Sequence, residues 1–201
     1  MRTPAFFDAV PAIVVHDALA QALGAAADGV IEYRYSDAVK LTGHSCPTVA
    51  GAYLMTRTAL ARLYADGPPR RGDVRVELRR QLDEGVAGVI GSVAGLITGA
   101  ANEGGFKGLA DRFTRQGQLR FGVPMAGEIR FTRVDTGQSV ELTHHPQAVR
   151  RPSALKSLFQ EAMAPAADAA TRRAFAEGWQ DWVHAMLIEH ADDPVLIELV
   201  A

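Results

Sequence analysis

The 201 residues carry a formal net charge of −2, with 48% hydrophobic and 22% charged side chains, the composition of an ordinary globule with enough chain for one sizeable core. That charge excludes a general nucleic-acid binder, which needs a strong basic surplus, and the short clusters Pro69-Arg70-Arg71 and Arg150-Arg151-Pro152 read as solvated loop edges. Asp8 and Pro11 interrupt any secretory apolar run, Val86 to Ala101 is too short to span a bilayer, and Cys46 has no second cysteine to pair with, so a cytoplasmic protein without a membrane partner is expected.

Phe6 to Leu23 has helical apolar spacing, with Asp17 or Pro11 as start signals and Gly24 as a stop. Val30 to Tyr35 alternates and reads as a strand, placing Tyr33 and Tyr35 on one face. Ser36 or Asp37 then caps a short helix running into Gly43. Val49 to Tyr64 is a helix, stopped by Asp66-Gly67-Pro68-Pro69. Asp73 to Leu78 is a strand. Gly85 to Thr98 is apolar and rich in glycine, a buried helix packed closely on a neighbour. Asn102 to Gly108 is a loop. Strand-like runs follow at Gln118 to Val123, Gly127 to Val134 and Ser139 to Thr143, the last two joined by a hairpin turn at Asp135 to Gln138. From Ser153 to Glu198 the pattern is helical, broken at Pro165 and near Pro194. These elements predict an α+β fold: a core domain over 1–150 with a mixed or antiparallel sheet packed by helices. A helical extension over 151–201 would lie on the core or on a dimer partner.

Gly43-His44-Ser45-Cys46-Pro47 is the segment that carries chemistry. Imidazole and thiolate two residues apart can face one cavity, and they are common ligands of zinc and other borderline metals. Pro47 at a first helical position puts Cys46 at the N-cap, where the helix dipole favours a thiolate, and Gly43 lets the chain turn before the pair.

The run Asp37 to Pro47, followed by Ala50-Gly51-Ala52-Tyr53, resembles the Gly-His-x-Cys-Pro signature of the formylmethanofuran dehydrogenase FmdE-like family. Leu96 to Gly99, Gly105 to Gly108 and Arg130 to Gly137 resemble later blocks of that family in the same order, so the similarity covers roughly residues 36 to 143. The resemblance implies an α+β core, often a homodimer, holding a metal at Cys and His positions. This chain departs from the pattern at Thr42 and Thr48, where the family commonly has His and Gly. Ala100 stands where a cysteine often follows the Thr-Gly block. With Cys46 the sole cysteine, the C-terminal zinc-finger module of some members is not present in these residues.

The expectation is therefore a metal-binding protein holding zinc or another transition metal through His44 and Cys46, with Gly43 and Pro47 shaping the site and a small-molecule ligand or substrate at the open positions. His16, beside Asp17, is a candidate third ligand. Glu103 is a candidate general base and Lys107 a candidate substrate anchor, if the metal serves an enzyme. Two other readings use the same turn: a non-catalytic carrier of a metal complex or haem, and a thiol enzyme with Cys46 as nucleophile assisted by His44. The tandem His144-His145 reads as an exposed loop, and the Trp179/Trp182 stripe with Phe175 and Met186 as packing or a dimer surface.

Overall fold

The computed structural model describes residues 3–200. The α+β architecture expected from the sequence is present. The main sheet has five strands, β3 (Val74–Leu78), β4 (Leu119–Arg120), β5 (Ile129–Arg133), β6 (Ser139–His144) and β7 (Ile197–Val200), in the order β4-β3-β5-β6-β7. Only the short β3–β4 pair is parallel. A separate antiparallel ribbon joins β1 (Ile13–His16) to β2 (Val30–Tyr33).

Alternation gives the main sheet two unlike faces. Val74, Val76, Leu78, Ile129, Phe131 and Leu142 are buried on one, and Val76 opposes Phe131 while Leu78 opposes Ile129 in the register. On the other face Glu77 opposes Arg130, which opposes Glu141. Arg130 donates from Nε to Glu141 at 2.9 Å and approaches Glu77 at 3.5 Å. The ladder is largely screened from water, Glu77 being buried, so each charge is paired across the strands. The apolar face is covered by α3 (Pro47–Leu63) and α4 (Ala87–Thr98), which pack on each other and on the sheet.

Both covering helices need glycine. A Cβ on Gly91 would stand 2.6 Å from the Phe121 ring, and one on Gly95 would stand 2.7 Å from the Ala100 carbonyl. The close packing expected of the glycine-rich helix is thus present. In α3, a Cβ on Gly51 would reach within 2.2 Å of His144 Nδ1 at the end of β6.

Three elements differ from the sequence reading. Phe6 to Leu23 is not one helix. A 3₁₀ turn (Ala5–Ala9) leads into β1, and α1 (Ala18–Ala22) begins only after Asp17, whose carboxylate accepts from the Leu19 and Ala20 amides at 2.9 and 3.1 Å. The β-branched run Ile13-Val14-Val15 finds a strand partner in β2, and tertiary pairing overrides the helical spacing. Tyr35 does not share a strand face with Tyr33. It opens α2 (Tyr35–Thr42), where Asp37 takes the Arg34 amide at 2.9 Å. The C-terminal region supplies α5 (Leu155–Ala162) and α6 (Ala169–His184) as expected. After a π turn at Ala185–Glu189, however, Ile197–Val200 becomes β7, because β6 offers it a free edge. Val183, Met186 and Leu187 enter the main core. Trp182 Nε1 donates to the Val149 carbonyl at 3.0 Å, so this region packs on the core of its own chain.

Beneath the strands lies a buried ion network. Asp17, 2% exposed, receives Arg71 Nη1 and Arg115 Nη2 at 2.8 Å each. Burial pushes the Asp17 carboxyl up, but the Arg71 hydrogen bond, the helix amide of Ala20 and the two cationic charges together hold it below the usual carboxylate value.

Gly51→Ala tests the α3–β6 contact. Alanine has the better helix propensity by about 1 kcal/mol, but the clash with the His144 ring costs about 1–3 kcal/mol. The expected outcome is a lower urea midpoint than wild type, with the sign of the change as the deciding observation.

Candidate functional site

The Gly43–Pro47 turn links α2 to α3. Gly43 ends α2 in the left-handed region at φ +76, its amide donating to the Val39 carbonyl at 2.8 Å. The Thr42 hydroxyl lies 2.9 and 3.0 Å from the carbonyls of Ala38 and His44, its one proton shared between them. Cys46 is the N-cap of α3, with Pro47 buried at the first helical position.

Ser45 is the point at which the turn is clamped. The Tyr35 hydroxyl lies 2.9 Å from Ser45 Oγ, and Ser45 Oγ donates to Gln180 Oε1 at 3.0 Å. The Ser45 carbonyl accepts from Trp179 Nε1 at 3.0 Å and from Gln180 Nε2 at 3.3 Å. Both polar groups of one residue are therefore tied to α6. Tyr35 itself is fully buried and packs edge-on to Phe7 and Tyr53, with ring centroids 4.9 and 5.6 Å away. Burial pushes its hydroxyl well above the ordinary tyrosine value, the Ser45 bond opposes this, and the nearby Cys46 adds to it; Tyr35 stays a neutral donor.

With its middle residue held, the turn presents two side chains. His44 is exposed, and its Nδ1 lies 2.9 Å from the Thr42 carbonyl. A carbonyl only accepts, so Nδ1 carries the proton and Nε2 keeps its lone pair in the neutral ring. A backbone carbonyl holding one imidazole nitrogen is the usual support for a ring that binds metal through the other. Cys46 is half-buried, with no hydrogen bond from its side chain to the helix amides. In donor chemistry the pair fits a borderline ion at two positions. Among the described residues no group of three or more His, Cys, Asp or Glu side chains is placed to hold a metal.

The remaining sequence candidates lie elsewhere. His16, at the end of β1, lines a pocket with Arg70, Arg71 and Arg115. Glu103 and Lys107 are exposed on the 102–117 loop, most of whose backbone bonds run among its own members. Phe106 accepts from the Arg115 and Gln116 amides at 2.8 and 3.1 Å, and Gln116 Nε2 donates to the Glu103 carbonyl at 2.6 Å. His144 is not in an exposed loop: it ends β6 with its ring over Gly51, and its Nε2 is buried without a partner. The sequence pattern put Tyr35 into strand packing rather than the site and gave no sign of Gln180. Gln180 has no local signal, because its partner is 135 residues away.

Among the described residues no helix is long and apolar enough to cross a membrane. No protein-family model, curated protein or solved structure matches this chain.

Burial pushes the His144 imidazole down to about 4 from 6.5, with the neighbouring His145 adding to the effect. The folded state holds this ring neutral, whereas the unfolded chain takes up a proton as pH falls through 6.5. The stability it contributes is complete above that pH and declines toward pH 4, by up to about 3 kcal/mol. Urea unfolding of wild type at pH 7 and pH 5 is expected to show this loss. His144→Asn should show a smaller pH dependence over the same interval.

Proposed function

We propose that this protein is a divergent relative of the FmdE-like proteins and binds a transition metal ion, zinc matching the ligands best, through His44 Nε2 and Cys46 Sγ. The observation that carries the reading is the fixed turn. Nδ1 of His44 is committed to the Thr42 carbonyl, Cys46 stands at the N-terminus of α3, and Ser45 between them is tied to α6 by three hydrogen bonds. A turn held in place loses little freedom when its side chains bind an ion.

Two protein donors leave positions for solvent, a small ligand or a partner's side chain. A bound ion would supply Lewis acidity to whatever occupies them. The protein's own part is to hold the imidazole as the Nε2 donor, to present the Cys46 sulfur at the N-terminus of α3, and to keep a neutral Tyr35 hydroxyl one residue from the pair. Glu103 and Lys107 have no part in this reading, since their loop is bonded to residues 115–117 instead.

A second reading follows from the donor count. With no third protein ligand gathered at the turn among the described residues, Cys46 at a helix N-cap is also a candidate thiol nucleophile, with His44 as its base.

Elemental analysis with an absorption spectrum of the purified protein separates the readings. About one metal per chain is expected in wild type and near none in His44→Ala or Cys46→Ala, with the fold retained by circular dichroism. Metal content unchanged in both variants sinks the proposal. A Soret band would make the ligand a haem. Metal-free wild type whose Cys46 is alkylated rapidly by iodoacetamide, and slowly in His44→Ala, would favour the thiol enzyme.

A further inference from the structure

A second concave site uses none of the residues of the turn. It is a pocket of about 290 Å³ lined by His16, by Arg70, Arg71 and Asp73 on the approach to β3, and by Arg112 and Arg115 on the approach to β4. The Asp17 network forms part of its wall. Four guanidiniums meet two carboxylates, Asp73 at the rim and Asp17 beneath. Arg70 also pairs with Asp135, a carboxylate shared with Arg133, which pairs in turn with Asp66, so the pocket keeps a positive excess. Arg112 has no carboxylate partner among the described residues; its guanidinium lies 4.6 Å from the centre of the Phe113 ring.

Arg115 is 6% exposed, and its Nε and Nη1 have no hydrogen-bond partner; Arg71 Nε is likewise unpaired. Buried N–H donors left unmade are costly, and groups in this state are rare unless something else satisfies them. Gly72, at φ +96, makes this packing feasible, since a Cβ there would fall 1.3 Å from Arg115 Nη1. The loop that brings Arg112 to the rim has an unusual backbone. Ala110, Asp111 and Phe113 have φ of 49, 58 and 63, and Leu109 and Arg112 exchange both backbone hydrogen bonds. Side chains other than glycine seldom adopt this region, and such strain persists where the surroundings enforce it, often at ligand sites.

We propose that this pocket binds the phosphate-monoester group of a small soluble molecule, with the exposed Arg70 and Arg112 closing on it and the half-buried Arg71 and buried Arg115 at its floor. A phosphate monoester carries about −1.5 to −2 charge at neutral pH, opposite in sign to the excess, and its three oxygens suit guanidinium forks arriving from two chain segments. The volume is at the small end for ligand sites, which favours a compact ligand.

Calorimetric titration with inorganic phosphate and with glycerol phosphate, at ionic strength held constant by chloride, tests this. Wild type is expected to bind both saturably and to gain thermal stability, with acetate producing neither effect. Arg112→Ala removes a side chain that stacks on the Phe113 ring, and it should weaken phosphate binding about tenfold or more, the weight of one charge-assisted hydrogen bond. Arg112→Lys should recover part of the loss. The proposal is overturned by absent saturation in wild type, by equal response to acetate, or by Arg112→Ala binding as wild type does. Co-sedimentation with phosphatidic-acid vesicles, without binding of the soluble phosphates, also overturns it.

Discussion

One carboxylate organises a large part of this molecule. Asp17 caps α1, ends the β1 ribbon, and accepts guanidiniums from two distant segments, the approach to β3 and the approach to β4. Removing one member of such a buried set leaves unpaired charge behind, at a cost of about 3–5 kcal/mol, so the segments that supply it are held in register together. Arg71 donates as well to the Leu96 carbonyl in α4, and the Gly72 amide donates to Thr98 at the end of that helix. The network therefore sets where α4 stops relative to the sheet.

Three segments beyond the Gly-His-x-Cys-Pro turn meet this network or the pocket beside it. Leu96 to Gly99 supplies the carbonyls that receive Arg71 and Gly72. Gly105 to Gly108 holds the backbone of Arg115 through Phe106. The Asp135 to Gly137 turn supplies the carboxylate bound by Arg70. The turn itself is supported by other contacts, those of α6 and Tyr35. The chain thus has two built regions: a nitrogen-and-sulfur pair on a rigid turn, and a cationic pocket whose buried donors are incompletely satisfied.

The helical extension has a structural role at the first of these. Trp179 and Gln180 bind the Ser45 carbonyl, and the aromatic series Phe159, Phe175, Trp179 and Trp182 connects α5 to α6 through centroid distances of 5.6–5.7 Å. Packing that joins both helices to the core also fixes the presentation of His44 and Cys46. A site made from a local motif in this way depends on residues more than a hundred positions away.

The sequence by itself determined what local chemistry can encode: the α+β class, the helix after Pro47, the buried glycine-rich helix, the hairpin at Asp135 to Gln138, and the turn where imidazole and thiol stand two apart. Periodicity, proline and glycine act over a few residues, and these features lie within that range. Only the tertiary structure decided the rest. Ile13 to His16 became a strand because β2 lay beside it, and Ile197 to Val200 because β6 had an open edge. His144 lost its place on the surface because Gly51 left room for its ring. Arg70 and Arg71, read as a solvated loop edge, became a pocket wall once Arg112, Arg115 and Asp17 were brought to them from 40 or more residues away along the chain. Charge pairing across such separations has no signature in spacing, because it depends on where the folded backbone returns.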